Sequence, residues 1–129
     1  MTGGRWTTLD RIVSVEPGKS ATGLRNVPNT LSIFDSHFPR FPVMPGVLIL
    51  GSLGALAAEL LEQETGRRWK LAGADRVAFR HFVQPGDQLE LTVQLKDRSD
   101  DQAVLSGEVT VDGKVVTRAR KLRAVPAEG

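Results

Sequence analysis

The sequence lacks cysteine and tyrosine altogether, and it has only two histidines, His37 and His81. Without cysteine there are no disulfides, no thiol nucleophiles and no Cys-x-x-Cys zinc sites, and without tyrosine there is no phenolic acid. Histidine is the side chain whose ordinary pKa lies closest to neutral pH. Any acid–base chemistry near neutral pH therefore has two histidine candidates.

Neither sign of charge dominates, because 17 Lys and Arg stand against 15 Asp and Glu and leave a net charge of +2. A surplus this small gives no basic face for nucleic acid. The first residues contain no apolar segment typical of a secretory signal. The longest apolar stretch, Val47 to Leu61, is shorter than the about 20 residues that cross a bilayer. We therefore expect a cytoplasmic protein that binds neither nucleic acid nor a membrane.

What is present is the composition of an ordinary globular protein, with 40% hydrophobic and 25% charged residues. A chain of 129 residues buries about two-thirds of its unfolded surface on folding and favours one domain. We expect residues 1–129 to form that domain. No metal, nucleotide or flavin motif appears, so we expect no metal ion and no cofactor.

The middle of the chain predicts one helix that is apolar nearly all round. The segment from Val47 to Glu64 contains no proline, and its first charged residue is Glu59. Its apolar side chains at helical spacing are Leu48, Leu50, Leu53, Leu56, Ala57, Leu60 and Leu61. Such a helix must be covered on most sides, and in a chain this short the available cover is a sheet that curls around it.

The remaining segments predict antiparallel strands. Arg11–Val15 and Ser20–Val27 flank a tight-turn signal and predict a hairpin, and residues 89–95 alternate strictly between apolar and polar side chains. Further strands are expected at Arg76–Val83, which a turn at residues 84–87 joins to the next strand, and at Ala103–Val111 and Lys114–Leu122, which flank Asp112-Gly113. The sequence thus predicts an α+β fold in which an antiparallel sheet wraps around one long central helix.

The loop from His37 to Gly46 carries the most informative chemistry. Prolines at 39, 42 and 45 each fix φ near −65°, so the loop holds His37 in a defined position. Gly46 permits close approach to the backbone, and the free N–H groups at the start of the following helix can polarise a carbonyl oxygen. A histidine there can remove a proton from the carbon beside a thioester carbonyl. The residues alone leave open the alternative that His37 only packs or caps.

The string H-F-P-x-x-P-V-M-P-G-V-L at His37–Leu48 resembles the signature of the short 3-hydroxyacyl-acyl-carrier-protein dehydratases of bacterial fatty-acid synthesis. Residues 9–19 and 79–89 also resemble segments of that family. The resemblance implies the hotdog fold and homodimers with active sites at the subunit interface, often assembled as trimers of dimers. It also implies an acyl-carrier-protein or coenzyme A thioester as substrate.

The same resemblance implies roles for individual residues. His37 would act on the C2 proton, and the backbone N–H groups of Gly46 and Val47 would hold the thioester carbonyl. The family also has a helix carboxylate, Glu or Asp, fourteen residues after the histidine, where this chain has Gly51. Asp35 is the candidate for a replacement acid, although an aspartate in such a position also commonly forms a turn.

Gly51 and Gly54 lie inside the predicted helix and need an explanation, because glycine disfavours a helix interior. One alternative is a widened cavity for an acyl chain, for which Phe41, Met44 and Gly51 are the tunnel candidates. The other is close approach of a second backbone at a dimer seam, and Phe41 and Met44 are then core or interface residues.

Three functions follow from the missing carboxylate. The first is a working dehydratase that uses His37 with a replacement acid or an ordered water. The second is an acyl-thioester-binding or partner subunit of a heteromeric dehydratase, paired with a hotdog subunit that retains the carboxylate. The third is a hotdog thioesterase. We rank them in that order because the loop keeps His37 and every proline and glycine that positions it.

Two further groups have competing interpretations. Arg118 and Arg120 are predicted on one face of a C-terminal edge strand, with Lys121 and Arg123 on the other. Charge on an edge strand commonly protects it from aggregation, whereas the family resemblance suggests that Arg118 and Arg120 dock an acidic carrier protein. His81 has no residues at metal-ligand spacing around it and is interpreted as a surface histidine.

Overall fold

The structure, a computed structural model, describes residues 9–27 and 46–127 of the chain. Within them lie one helix and six strands: β1 (Arg11–Glu16), β2 (Ser20–Asn26), α1 (Gly46–Thr65), β3 (Trp69–Phe79), β4 (Gln88–Arg98), β5 (Ala103–Val111) and β6 (Lys114–Pro126). The predictions made for the loop before Gly46 lie outside the described residues.

The described strands form one antiparallel sheet in the order β1-β2-β4-β5-β6-β3. Both predicted hairpins are confirmed, β1 with β2 and β5 with β6. The second turns at Asp112 and Gly113, which both have positive φ, 51° and 80°. This is the backbone conformation that a two-residue hairpin turn requires, and glycine adopts it without steric strain.

The core lies between α1 and one face of the sheet. Leu53, Leu56, Leu60 and Leu61 of the helix are each 0% exposed, as are Leu89, Leu91 and Val93 on alternating positions of β4. Burying these side chains stabilises the contact between helix and sheet. The predicted α+β arrangement, with an antiparallel sheet around a long apolar helix, is confirmed.

The helix is long and apolar enough to cross a bilayer when only length and composition are considered. In this fold, however, eight of its residues are buried, and its inner face packs against the sheet. Among the described residues it is the one helix of this kind, and its contacts are those of a core helix.

The position of β3 differs from the prediction. The expected strand at Arg76–Val83 is instead Trp69–Phe79, and it pairs with β6 at the far end of the sheet rather than with β4. The pairing register shifts between Leu71 and Gly73, and Arg76 has φ 55°. These irregularities break the period-2 pattern from which strands are recognised, so the first half of β3 gave no sequence signal.

The prediction that the C-terminal strand is an edge strand is also wrong, because β6 lies between β5 and β3. Ala119 and Leu122 are both 0% exposed although they are three residues apart. The register against β5 shifts there, so Arg120 and Lys121 are both exposed and the alternation slips by one residue. Arg123 therefore shares the exposed face with Arg118, contrary to the expected division between two faces.

Candidate functional site

The start of α1 is the best-defined part of the predicted site. The helix begins at Gly46, and the side chain of the next residue, Val47, is 72% exposed. The first N–H groups of a helix have no partner within it, so those of Gly46 and Val47 are available to an acceptor such as a carbonyl oxygen. The helix's first turn carries no acidic side chain that would compete for this positive end.

Phe79, at the end of β3, packs against this helix start. A Cβ at Gly46 would come within 2.7 Å of Cζ of the Phe79 ring, so glycine is required for the contact as it stands. Phe79 itself is half-exposed. Sequence reasoning did not select it, because its approach to Gly46 depends on the placement of β3 beside the helix.

The two glycines inside the helix differ in their surroundings. A Cβ at the buried Gly54 would lie 3.1 Å from Cβ of Leu71, so this glycine lets β3 approach the helix. Gly51 is exposed, and a Cβ there would meet no heavy atom of the described residues within 4 Å. Gly54 is thus explained by packing within the chain, whereas the role expected for Gly51 stays a prediction.

Arg25 is a charged residue that sequence reasoning missed. It lies on β2, is only 6% exposed, and its Nη1 donates hydrogen bonds to Ser52 Oγ at 2.8 Å and to the Leu48 carbonyl at 3.5 Å. Burial lowers the pKa of Arg25, and the nearby charge of Asp10 partly opposes this. The signal was available, since Arg25 shares the period-2 inward face of β2 with Ala21 and Gly23.

The predicted carrier-docking residues lie away from the helix start. Arg118 donates to Glu108 Oε2 from Nε at 3.2 Å and from Nη2 at 2.7 Å. The neighbouring Gly107 faces the helix, since a Cβ there would come within 3.1 Å of Leu53, so Glu108 and Arg118 occupy the opposite face of the sheet. There they help line a groove of about 360 Å³ with Thr92, Gln94, Lys96, Ser106 and Arg120.

The other predicted site residues are not brought together by the described part of the chain. Asp35, His37, Phe41 and Met44 lie outside the described residues. His81 is exposed and lines a separate depression with Phe82, Asp112 and Lys114. Among residues 9–27 and 46–127, no cluster of three His, Cys, Asp or Glu side chains is arranged to hold a metal ion.

Comparison with known sequences gives matches along nearly the whole chain. The model of the FabA-like domain family matches residues 3–120. The 3-hydroxyacyl-acyl-carrier-protein dehydratase FabZ of Bacillus subtilis (strain 168) is 44% identical over 111 residues, which are 84% of this chain and 79% of that protein. These matches confirm the resemblance stated from the His37–Leu48 string.

Two solved structures have a similar fold. One is from the dehydratase heterocomplex ApeI:P of Xenorhabdus doucetiae, with a TM-score of 0.76 and 13% identity, covering 98% of this chain and 87% of that chain. The other is smu.793 of Streptococcus mutans UA159 bound to acetyl CoA, with a TM-score of 0.71 and 16% identity, covering 91% of this chain and 87% of that chain. At these identities the likeness concerns the fold, and it confirms the predicted hotdog architecture.

Proposed function

The chain belongs to the FabA-like domain family, and on that ground we propose that it is a 3-hydroxyacyl-thioester dehydratase of fatty-acid or polyketide-type acyl metabolism. The observation that carries the proposal is the 44% identity with a 3-hydroxyacyl-acyl-carrier-protein dehydratase over 84% of the chain. The enzyme acts in the cytoplasm on a thioester of acyl carrier protein or coenzyme A. The acetyl CoA bound to one structural neighbour supports the second form of substrate.

The mechanism uses His37 and the start of α1. His37 takes the proton from C2 of the 3-hydroxyacyl thioester, and the electron pair moves onto the carbonyl oxygen. The N–H groups of Gly46 and Val47 stabilise that oxygen as its negative charge develops, helped by the helix dipole. The electrons then form the C2–C3 double bond as the C3–O bond breaks, and the departing hydroxide takes up a proton to leave as water.

The protonation of the leaving hydroxide is the step for which this chain has an altered residue. The helix carboxylate of the family is replaced by Gly51, and losing a positioned acid slows such a step by about 10²- to 10⁴-fold. Asp35 or an ordered water supplies the proton in its place. The open space at Gly51 supports a role in an acyl tunnel, together with Phe41 and Met44.

A homodimer, or a trimer of dimers, is the assembly that this function requires. Exposed apolar side chains support it, since Val47 and Phe79 at the helix start are 72% and 50% exposed in the single chain and Phe82 is 81% exposed. β3 also offers a free edge, because β6 is its one partner in the described sheet. Arg118 and Arg120 dock the acidic carrier protein through the groove on the opposite sheet face.

A second candidate is a partner subunit of a heteromeric dehydratase. Gly51 favours it, because a different hotdog subunit can bring the missing carboxylate, and one structural neighbour comes from a dehydratase heterocomplex. A co-purified hotdog protein that carries the carboxylate would support this candidate. A fully active homodimer would contradict it.

A hotdog thioesterase is the third candidate function, and release of free thiol from the thioester is its test.

The two histidines provide a matched test of the dehydratase. Hydration of a crotonyl thioester, the reverse reaction, is followed by loss of the enoyl absorbance for the wild type, His37→Ala and His81→Ala. We expect slow turnover by the wild type, no turnover above background by His37→Ala, and wild-type turnover by His81→Ala. Equal rates in the wild type and His37→Ala would contradict the proposal.

A further inference from the structure

Arg25 carries a buried charge that no acid of the described chain neutralises. Its side chain is on the inner face of β2, and its hydrogen-bond partners among the described residues are neutral: Ser52 Oγ at 2.8 Å and the Leu48 carbonyl at 3.5 Å. The charge of Asp10 acts to raise the pKa of Arg25, but the two side chains form no ion pair among the described residues. Asp10 Oδ2 instead accepts a hydrogen bond from the backbone N–H of Asn26. Buried charges in proteins are normally paired, so this cation calls for an anion.

The open space in the helix lies beside this cation. Ser52, which accepts the hydrogen bond from Arg25, is the residue directly after Gly51, and Leu48 is three residues before Gly51 on the adjoining turn. A side chain at position 51 would meet no heavy atom of the described residues at its Cβ. This open space, the gap at Gly51, therefore lies within one helical turn of both groups that bind the guanidinium.

We propose that Arg25 and the gap at Gly51 bind a carboxylate carried on the acyl chain of the substrate, so that the chain acts on monothioesters of short dicarboxylic acids. This deepens the proposed function and rests on it. The planar guanidinium fork matches a carboxylate, and a charge-assisted hydrogen bond formed away from water is among the stronger polar contacts.

Length and symmetry favour the substrate as the source of the carboxylate. Gly46, where the thioester carbonyl is held, and Gly51 are five residues apart, a rise of about 7.5 Å, which a short acyl chain can span. A second copy of this chain has glycine at the same position and brings no carboxylate from it. The gap thus accepts from the acyl chain the acidic group that the helix itself does not provide.

Free carboxylates test the binding site without any turnover. The thermal midpoint of the full chain is measured in sodium acetate and in sodium chloride at equal ionic strength. We expect acetate to raise the midpoint by a few degrees in the wild type and in Arg11→Gln, which loses an exposed arginine of β1. The difference should disappear in Arg25→Gln, and also in Gly51→Glu, whose own carboxylate fills the gap. An acetate effect that persists in Gly51→Glu, or that is absent from the wild type, would overturn the site.

Matched substrates test the assignment to the acyl chain. The hydration of trans-2-hexenoyl and trans-2-hexenedioyl monothioesters of coenzyme A gives a ratio of kcat/KM values for the carboxylated over the plain chain. We expect the ratio to exceed one in the wild type and in Arg11→Gln, and to fall about 10- to 100-fold in Arg25→Gln. A ratio that Arg25→Gln leaves unchanged would overturn the substrate class.

The two experiments separate this inference from the function on which it rests. A protein that hydrates neither thioester contradicts the dehydratase proposal, whereas the acetate response then still decides whether Arg25 binds a carboxylate. A protein that hydrates the plain chain in preference to the carboxylated one supports the dehydratase and overturns the dicarboxylic substrate.

Discussion

At the scale of single residues, the hydrogen bond between Arg25 and Ser52 is a buried polar interaction whose loss should destabilise the fold. Replacing Ser52 by Ala leaves Nη1 of the buried guanidinium with the Leu48 carbonyl at 3.5 Å as its remaining described partner. We expect Ser52→Ala to lower the free energy of unfolding by about 1–3 kcal/mol. Ser99→Ala is the control, since its exposed hydroxyl makes a weaker bond to Gln102. Urea denaturation measures both, and equal midpoints would contradict the importance of the contact.

The two helix glycines give a second comparison at this scale. Gly51→Ala should raise the free energy of unfolding by about 1 kcal/mol, because alanine favours the helix and its methyl group meets open space. Gly54→Ala has the same helix preference but places its methyl group 3.1 Å from Leu71, and crowding in a packed core typically costs about 1–3 kcal/mol. Gly54→Ala should therefore be the less stable variant. If Gly54→Ala were instead the more stable variant, the contact between β3 and the helix would have room for a methyl group at position 54.

These residues also show the reach of sequence reasoning. Gly51 could be singled out because the family resemblance implies a helix carboxylate fourteen residues after His37. The alternation along β2 places Arg25 on the inward face. A lone basic residue in a short strand is nevertheless normally predicted to be exposed, so its burial was not expected. Its hydrogen bond to Ser52 joins residues 27 apart in the chain and depends on how β2 meets the helix. No local pattern carries that information.

At the scale of elements, the helix and both hairpins were predictable because local signals specify them. An apolar stretch without proline specifies the helix, and Asp112-Gly113 specifies the tight turn of β5 and β6. The placement of β3 was not predictable, since its register shift and the positive φ of Arg76 break the alternation. Its pairing with β6 joins segments distant in sequence, and this made β6 an interior strand.

The interior position of β6 sharpens the carrier-docking proposal, because Arg118 and Arg120 do not need to protect an edge. Arg118 pairs with Glu108, and at 42% exposure of both side chains such a pair contributes about 0–1 kcal/mol. We expect Arg118→Glu together with Arg120→Glu to weaken binding of acyl carrier protein at least tenfold and to flatten its salt dependence. Arg11→Glu on β1 is the control. Unchanged affinity measured by calorimetry would place carrier docking elsewhere.

At the scale of the whole molecule, family membership and hotdog fold were both accessible from one string of sequence, His37 to Leu48. The proline-rich loop carries the signature, and the helix that follows supplies one side of the core and, on the proposed function, the N–H groups that hold the carbonyl. On the proposed function, the unusual feature is that the same helix has open space at Gly51, where the family resemblance implies an acid. The proposal therefore combines a conventional scaffold with an acid–base pair whose acid differs from that of the family.

The pairing of His37 with an acid at position 51 is tested most directly by the hydration rate of a crotonyl thioester. The rate is measured for Gly51→Glu beside the wild type, Gly51→Gln and Gly51→Ala. A restored acid should raise the rate by up to about 10²- to 10⁴-fold. Gly51→Gln fills the same space without an acidic proton, so it and Gly51→Ala should stay at or below the wild-type rate. The combination with His37→Ala should abolish the gain. A Gly51→Glu rate equal to that of the wild type, or a gain that survives His37→Ala, would contradict the claim that catalysis needs His37 together with an acid from position 51.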